Sequence, residues 1–146
     1  RACDSCLAQL PLEKRQNAAL REMARLLRPG GKLVLTAPFC SLTHYAPYHI
    51  SSGFNRYFYE RHLPEHGLHI VELEANGSYF EYLAQELRRI PSMAERYSGR
   101  PLTRLEEASL TLCLTVLAKL SRADRGSHDL LCFGYHVLAT KSEGPP

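Results

Sequence analysis

The stretch ALREMARLLRPGGKLVLTAP, residues 19–38, decides how the rest of the chain is read. It continues a helical pattern that starts near residue 12. Ala18, Ala19, Met23, Leu26 and Leu27 fall at helical spacing, while Arg21, Glu22, Arg25 and Arg28 fill the other face. Pro29-Gly30-Gly31 ends that helix, since Pro cannot continue the ladder and Gly accepts a left-handed exit. Residues 32–36 (KLVLT) are then short, apolar and β-rich, which predicts a strand buried on both faces. Helix, tight turn and buried strand together read as one αβ step of a parallel sheet.

Outward from this step, periodicity disappears between residues 40 and 55, where His44, Tyr45, Tyr48, His49 and Phe54 accumulate. A long loop beyond the carboxyl end of a buried strand is where open α/β sheets place ligands. Residues 56–66 are helical in character with Gly67 as the stop, and 68–73 alternate as a second strand. A helix follows over 79–90, with Phe80, Leu83, Ala84 and Leu87 on one face, then a break from Pro91 to Pro101. Residues 102–120 form a helix that is apolar nearly all round, which requires burial or a covering partner. The segment 130–140 (LLCFGYHVLAT) reads as the last strand, and 142–146 as a disordered tail.

The chain has 146 residues, 45% hydrophobic and 23% charged, the composition of one globular domain. No apolar run approaches the ~20 residues that span a bilayer, and no leader pattern is visible at the N-terminus. Eighteen basic against fifteen acidic residues give +3, and Glu interrupts the basic residues wherever they thicken. That pattern describes solvated helix faces and gives no reason to expect nucleic acid. Five Cys without framework spacing fit a reducing, cytoplasmic setting. Cys3 and Cys6 form a CxxC with no second pair to complete a zinc site, and read as an ordinary chain end. His62 and His66 stand at i, i+4, but Pro64 interrupts their helix and there is no HExxH order; no metal is expected.

These residues resemble the C-terminal half of a class I S-adenosylmethionine-dependent methyltransferase of the type 11 kind. In that family a phrase like LRPGGKLVLTAP joins the fourth helix to the fifth strand. Residues 53–58 (GFNRYF) through 66–70 (HGLHI) look like its fifth helix and sixth strand, and 130–140 like an inserted seventh strand. The likeness spans about residues 7–141. It implies an α/β fold holding part of a Rossmann-like methyltransferase sheet, strands five to seven with at most part of the fourth. Residues 79–121 would be a helical insertion before the last strand, and residues 1–11 an ill-defined start of a single, incomplete domain. It implies methyl transfer from S-adenosylmethionine to a small-molecule or glycan-like acceptor.

The family's cofactor cradle is a Gly-rich turn after its first strand, because the backbone must approach the ligand closely. The nine Gly include one adjacent pair, Gly30-Gly31, and no GxG, and that pair follows a helix rather than a strand. An acid–imidazole pair expected near Ala8-Gln9 is also missing. The chain is therefore expected to act as part of a longer one, or as a degenerate fold serving as a protein-interaction module. A sheet without its central strands exposes an edge, so self-association through that edge or through helix 102–120 is expected. By analogy the His loop faces the acceptor: His49 or His44 is the candidate general base, with Tyr45, Tyr48 and Arg56 shaping the pocket.

Overall fold

The structure, a computed structural model, describes residues 12–44, 46, 47, 49 and 51–143. The Cys3–Cys6 pair, Tyr45, Tyr48 and residues 144–146 lie outside the described residues. The chain divides into two compact units: residues up to Glu74 together with those from Gly134 onward, and Ala75–Phe133 between them.

In the first unit, helix α1 (Leu12–Leu26) buries Leu20 and Ala24, one turn apart. This face is rotated from the predicted one, for Met23 and Leu26 are 39% and 75% exposed. The PGG stop forms as expected. Gly31 N–H donates to the Arg28 carbonyl at 2.8 Å, and the turn is tied to the far end of the chain through Gly30 N–H to Lys141 O (3.0 Å) and Lys141 N–H to Gly31 O (2.9 Å). Strand β1 (Lys32–Pro38) follows directly. Helix α2 (Arg56–Glu65) starts at Asn55, whose side chain accepts from Phe58 N–H at 3.1 Å. Pro64 is accommodated in its last turn, and the helix ends one residue later.

Strands β2 (Leu68–Asn76) and β3 (Gly134–Lys141) complete a three-stranded sheet of order β1-β3-β2. Strand β3 pairs antiparallel with β1 along its length, from Lys32 opposite Thr140 to Pro38 opposite Gly134. Bonds from Phe133 N–H to Asn76 O (2.9 Å) and Ser142 N–H to Gly67 O (3.0 Å) give β2 the same antiparallel sense against β3. The parallel partner expected for β1 is thus absent among the described residues: its hydrogen-bonded neighbour is an antiparallel strand. Ser142, at the head of the tail segment, is fixed by that bond and by its hydroxyl on Gly67 O.

The sheet is covered on one face. Tyr135, Val137 and Ala139 are almost fully buried, joining Tyr59, Leu63 and Leu68 in the core. Burying each such aliphatic side chain contributes about 1.5–3 kcal/mol. On β1, by contrast, Lys32, Val34, Thr36 and Pro38 face outward, and Val34 is 72% exposed. Burial on both faces, expected from KLVLT, is not found. The consecutive apolar residues Leu33, Val34 and Leu35 hide the alternation that would have marked a half-covered strand.

In the second unit, Ser78 caps helix α3 (Tyr79–Met93) by accepting from Glu81 N–H at 3.3 Å. The break expected at Pro91 is not made: the helix passes through Pro91 and widens into a π-turn at Ala94–Ser98. Past the proline the helical bonding is regular, with Ala94 N–H on Ile90 O, so Pro91 costs the helix one donor without ending it. Helix α4 (Arg104–Arg122) opens with a capping box between Thr103 and Glu106. None of its residues is fully buried, and Leu105, Leu112, Val116 and Leu120 remain exposed. After a short 3₁₀ turn (Ser127–Asp129), the last strand starts at Gly134, four residues later than the 130–140 reading placed it.

Candidate functional site

The loop after β1 is closed at its base by backbone contacts. Phe54 N–H donates to Pro38 O at 2.8 Å, and Ser41 Oγ donates to Ser52 O at 2.9 Å. Gly53 makes this closure feasible: its φ is +149°, and a Cβ there would run into the Pro38 and Phe39 carbonyls.

Within the closed loop the structure brings His44 and His49 together, their rings edge-to-face with centroids 4.6 Å apart. His44 Nδ1 donates to the Leu42 carbonyl at 2.8 Å. A carbonyl can only accept, so Nδ1 carries the proton and Nε2 is the basic nitrogen of the neutral ring. His44 is exposed and His49 half-buried. Arg56 opens α2, and its Nε and Nη2 reach Glu60 Oε1 at 3.0 and 2.8 Å, an i, i+4 pair along that helix. Tyr45 and Tyr48, the two phenols expected to shape the pocket, fall outside the described residues.

Aromatic rings connect the loop base to the core. Phe54 stacks on Phe58 at 4.3 Å, Phe58 lies 4.8 Å from His62, and Tyr59 meets Tyr135 edge-on at 6.2 Å. Buried His62 bonds Glu65 through Nδ1 at 3.0 Å, and this contact holds the Glu65 carboxyl below its ordinary range. Sequence reasoning missed one polar pair, Thr36 Oγ1 with His136 Nδ1 at 3.0 Å, on the outer face near the carboxyl end of β1. The two are 100 residues apart, and only the β1–β3 register puts them opposite one another.

Among the described residues no group of three or more His, Cys, Asp or Glu is placed to hold a metal ion. A dinucleotide-like cradle is also lacking there. Gly77 stands in the short turn between β2 and α3, at φ +77°. The space beside it is filled by the Phe133 ring, and the first amides of α3 are taken by Ser78 and Ser127. These residues do not fit S-adenosylmethionine.

The architecture is that of an α/β protein built on a three-stranded antiparallel sheet, and no described helix is long and apolar enough to cross a membrane. No family model, curated protein or solved structure matches the chain.

Proposed function

We propose that the chain is the acceptor-side part of an S-adenosylmethionine-dependent methyltransferase fold, acting on a small-molecule or glycan-like acceptor. The observation that carries this reading is the His44–His49 pair, held in a closed loop at the carboxyl end of β1. Supporting it are the PGG turn into β1 and the last strand lying antiparallel between two strands that run the same way. That insertion of the final strand is what the family resemblance implies.

On this reading one imidazole takes the proton of the acceptor as its methyl bond forms. His44 suits the role, since its Nδ1–H is committed to Leu42 O and its lone pair is on Nε2. His49, packed against that ring, orients it. On this reading the described residues supply the acceptor side alone. The test is methyl transfer from labelled S-adenosylmethionine by the full-length protein. His44→Ala with His49→Ala is expected to lower turnover by about 10²–10⁴-fold, the usual worth of a general base. Unchanged turnover sinks the assignment.

A second reading is favoured by the apolar residues that α4 leaves exposed: the fold serves as an interaction module, and the second unit associates through α4.

A further inference from the structure

Helices α3 and α4 enclose a cleft of about 730 Å³ that the methyl-transfer reading does not use. That volume falls in the ~300–1,000 Å³ range of small-molecule sites. Its apolar walls are Phe80 and Ala84 from α3, Leu114 and Leu117 from α4, and Phe133 from the segment before β3, with Gln85 and Ser121 as neutral polar groups beside them. Phe133 is held in place from behind. Its ring occupies the space that Gly77 leaves without a Cβ, lies 5.9 Å from the Tyr82 ring, and its N–H bonds Asn76 O at 2.9 Å.

Three guanidinium groups, of Arg88, Arg89 and Arg122, also line the cleft. Arg89 has a partner, Glu86, at 3.5 Å, but among the described residues neither Arg88 nor Arg122 forms an ion pair. Their own helices explain this. Positions three and four away from Arg88 are Gln85, Ala84, Pro91 and Ser92, and those before Arg122 are Lys119 and Ala118. The single carboxylate in the lining, Glu81, sits in the first turn of α3, where the helix N-terminus offsets its charge. The cleft therefore combines apolar walls with a net positive lining.

We propose that this cleft binds an amphiphilic anion: a linear or aromatic hydrocarbon body against Phe80, Leu114 and Phe133, with a carboxylate-class head drawn to the guanidinium groups of the lining. The apolar walls supply most of the affinity by removing the body from water, and the guanidinium groups select the sign of the head. Neither polar walls nor a metal is required. The inference stands independently of the proposed methyl transfer.

The experiment is a calorimetric titration of the whole chain with sodium decanoate below its micelle concentration, beside decyltrimethylammonium and acetate. Saturable one-to-one binding of decanoate is expected, at least tenfold tighter than the cationic amphiphile, with no binding of acetate. Arg88→Glu with Arg122→Glu should weaken decanoate at least tenfold while leaving the circular dichroism unchanged. Ala118→Trp, on an exposed lining position, should block the cleft without entering a core and abolish saturable binding. Absence of decanoate binding, equal affinity for the two amphiphiles, or decanoate binding that survives both variants overturns the proposal.

Discussion

The ammonium of Lys141, the last residue of β3, donates to the Leu27 carbonyl at 2.8 Å, at the end of α1. The same nitrogen reaches Ala24 O at 2.7 Å, so one cation satisfies two of the carbonyls that a helix leaves open at its C-terminus. The PGG turn is held to the same residue through the Lys141 backbone. Helix, turn and final strand are thus joined at one point, although α1 and β3 lie at opposite ends of the chain. Lys141→Met keeps the aliphatic stem and removes the donor. It is expected to cost about 1–3 kcal/mol, the range for hydrogen bonds to a charged group, measured as a lower midpoint in urea.

Glu106 is the most perturbed carboxyl among the described residues. The Arg100 guanidinium, at 2.8 and 3.0 Å, together with the Thr103 amide and hydroxyl, holds it down to about 2 from an ordinary 4.5. A carboxyl whose folded value is depressed stabilises the fold above its unfolded value and loses that effect as the pH falls. The contribution is therefore full above pH 4.5 and fades between 4.5 and about 2. Glu106→Gln is expected to be less stable at neutral pH and to lose less on acidification across that window. Urea midpoints at a series of pH values check it; parallel acid profiles for the two proteins would contradict it.

How far the sequence was readable follows from these contacts. Helix spacing, the PGG stop and the Gly67 stop are local signals, and α1, α2 and α3 begin within a residue of where they predict. Pro91 misled because proline removes one donor but does not by itself end a helix whose later bonds still form. The face of β1 was unreadable because Leu33, Val34 and Leu35 are all apolar, and only its neighbours decide which side is covered. The His cluster was visible as composition, and the structure adds the ring-on-ring geometry of His44 and His49. The Thr36–His136 pair carried no sequence signal, since it depends on a register set 100 residues away.

Gly77 and Phe133 form a lock that a double-mutant cycle can measure. A Cβ at Gly77 would collide with two carbons of the Phe133 ring, and the backbone there stands at φ +77°. Gly77→Ala therefore combines backbone strain of about 1–2 kcal/mol with a steric overlap. In a Phe133→Leu background the overlap is relieved and only the strain remains. The cost of Gly77→Ala is expected to fall by about 1 kcal/mol or more in that background, a coupling typical of residues in contact. Strictly additive melting data would show that the ring yields freely.

Helix α4 leaves Leu105, Leu112, Val116 and Leu120, at seven- and four-residue intervals, with 77, 66, 48 and 44% exposure. Leu112 and Val116 line a second apolar groove against Leu83, Leu87 and Ile90 of α3. Such an exposed apolar stripe is costly unless a second surface covers it. Sedimentation velocity over roughly a hundredfold range of concentration is expected to show reversible association of the wild type. Leu112→Glu with Val116→Glu places two charges in the stripe and should leave a monomer. Because both side chains are already exposed, the fold itself should lose no more than about 0.5 kcal/mol per substitution. A wild type that sediments as a monomer throughout, with full helical circular dichroism, removes α4 as a self-association surface and with it the main support for the interaction-module reading.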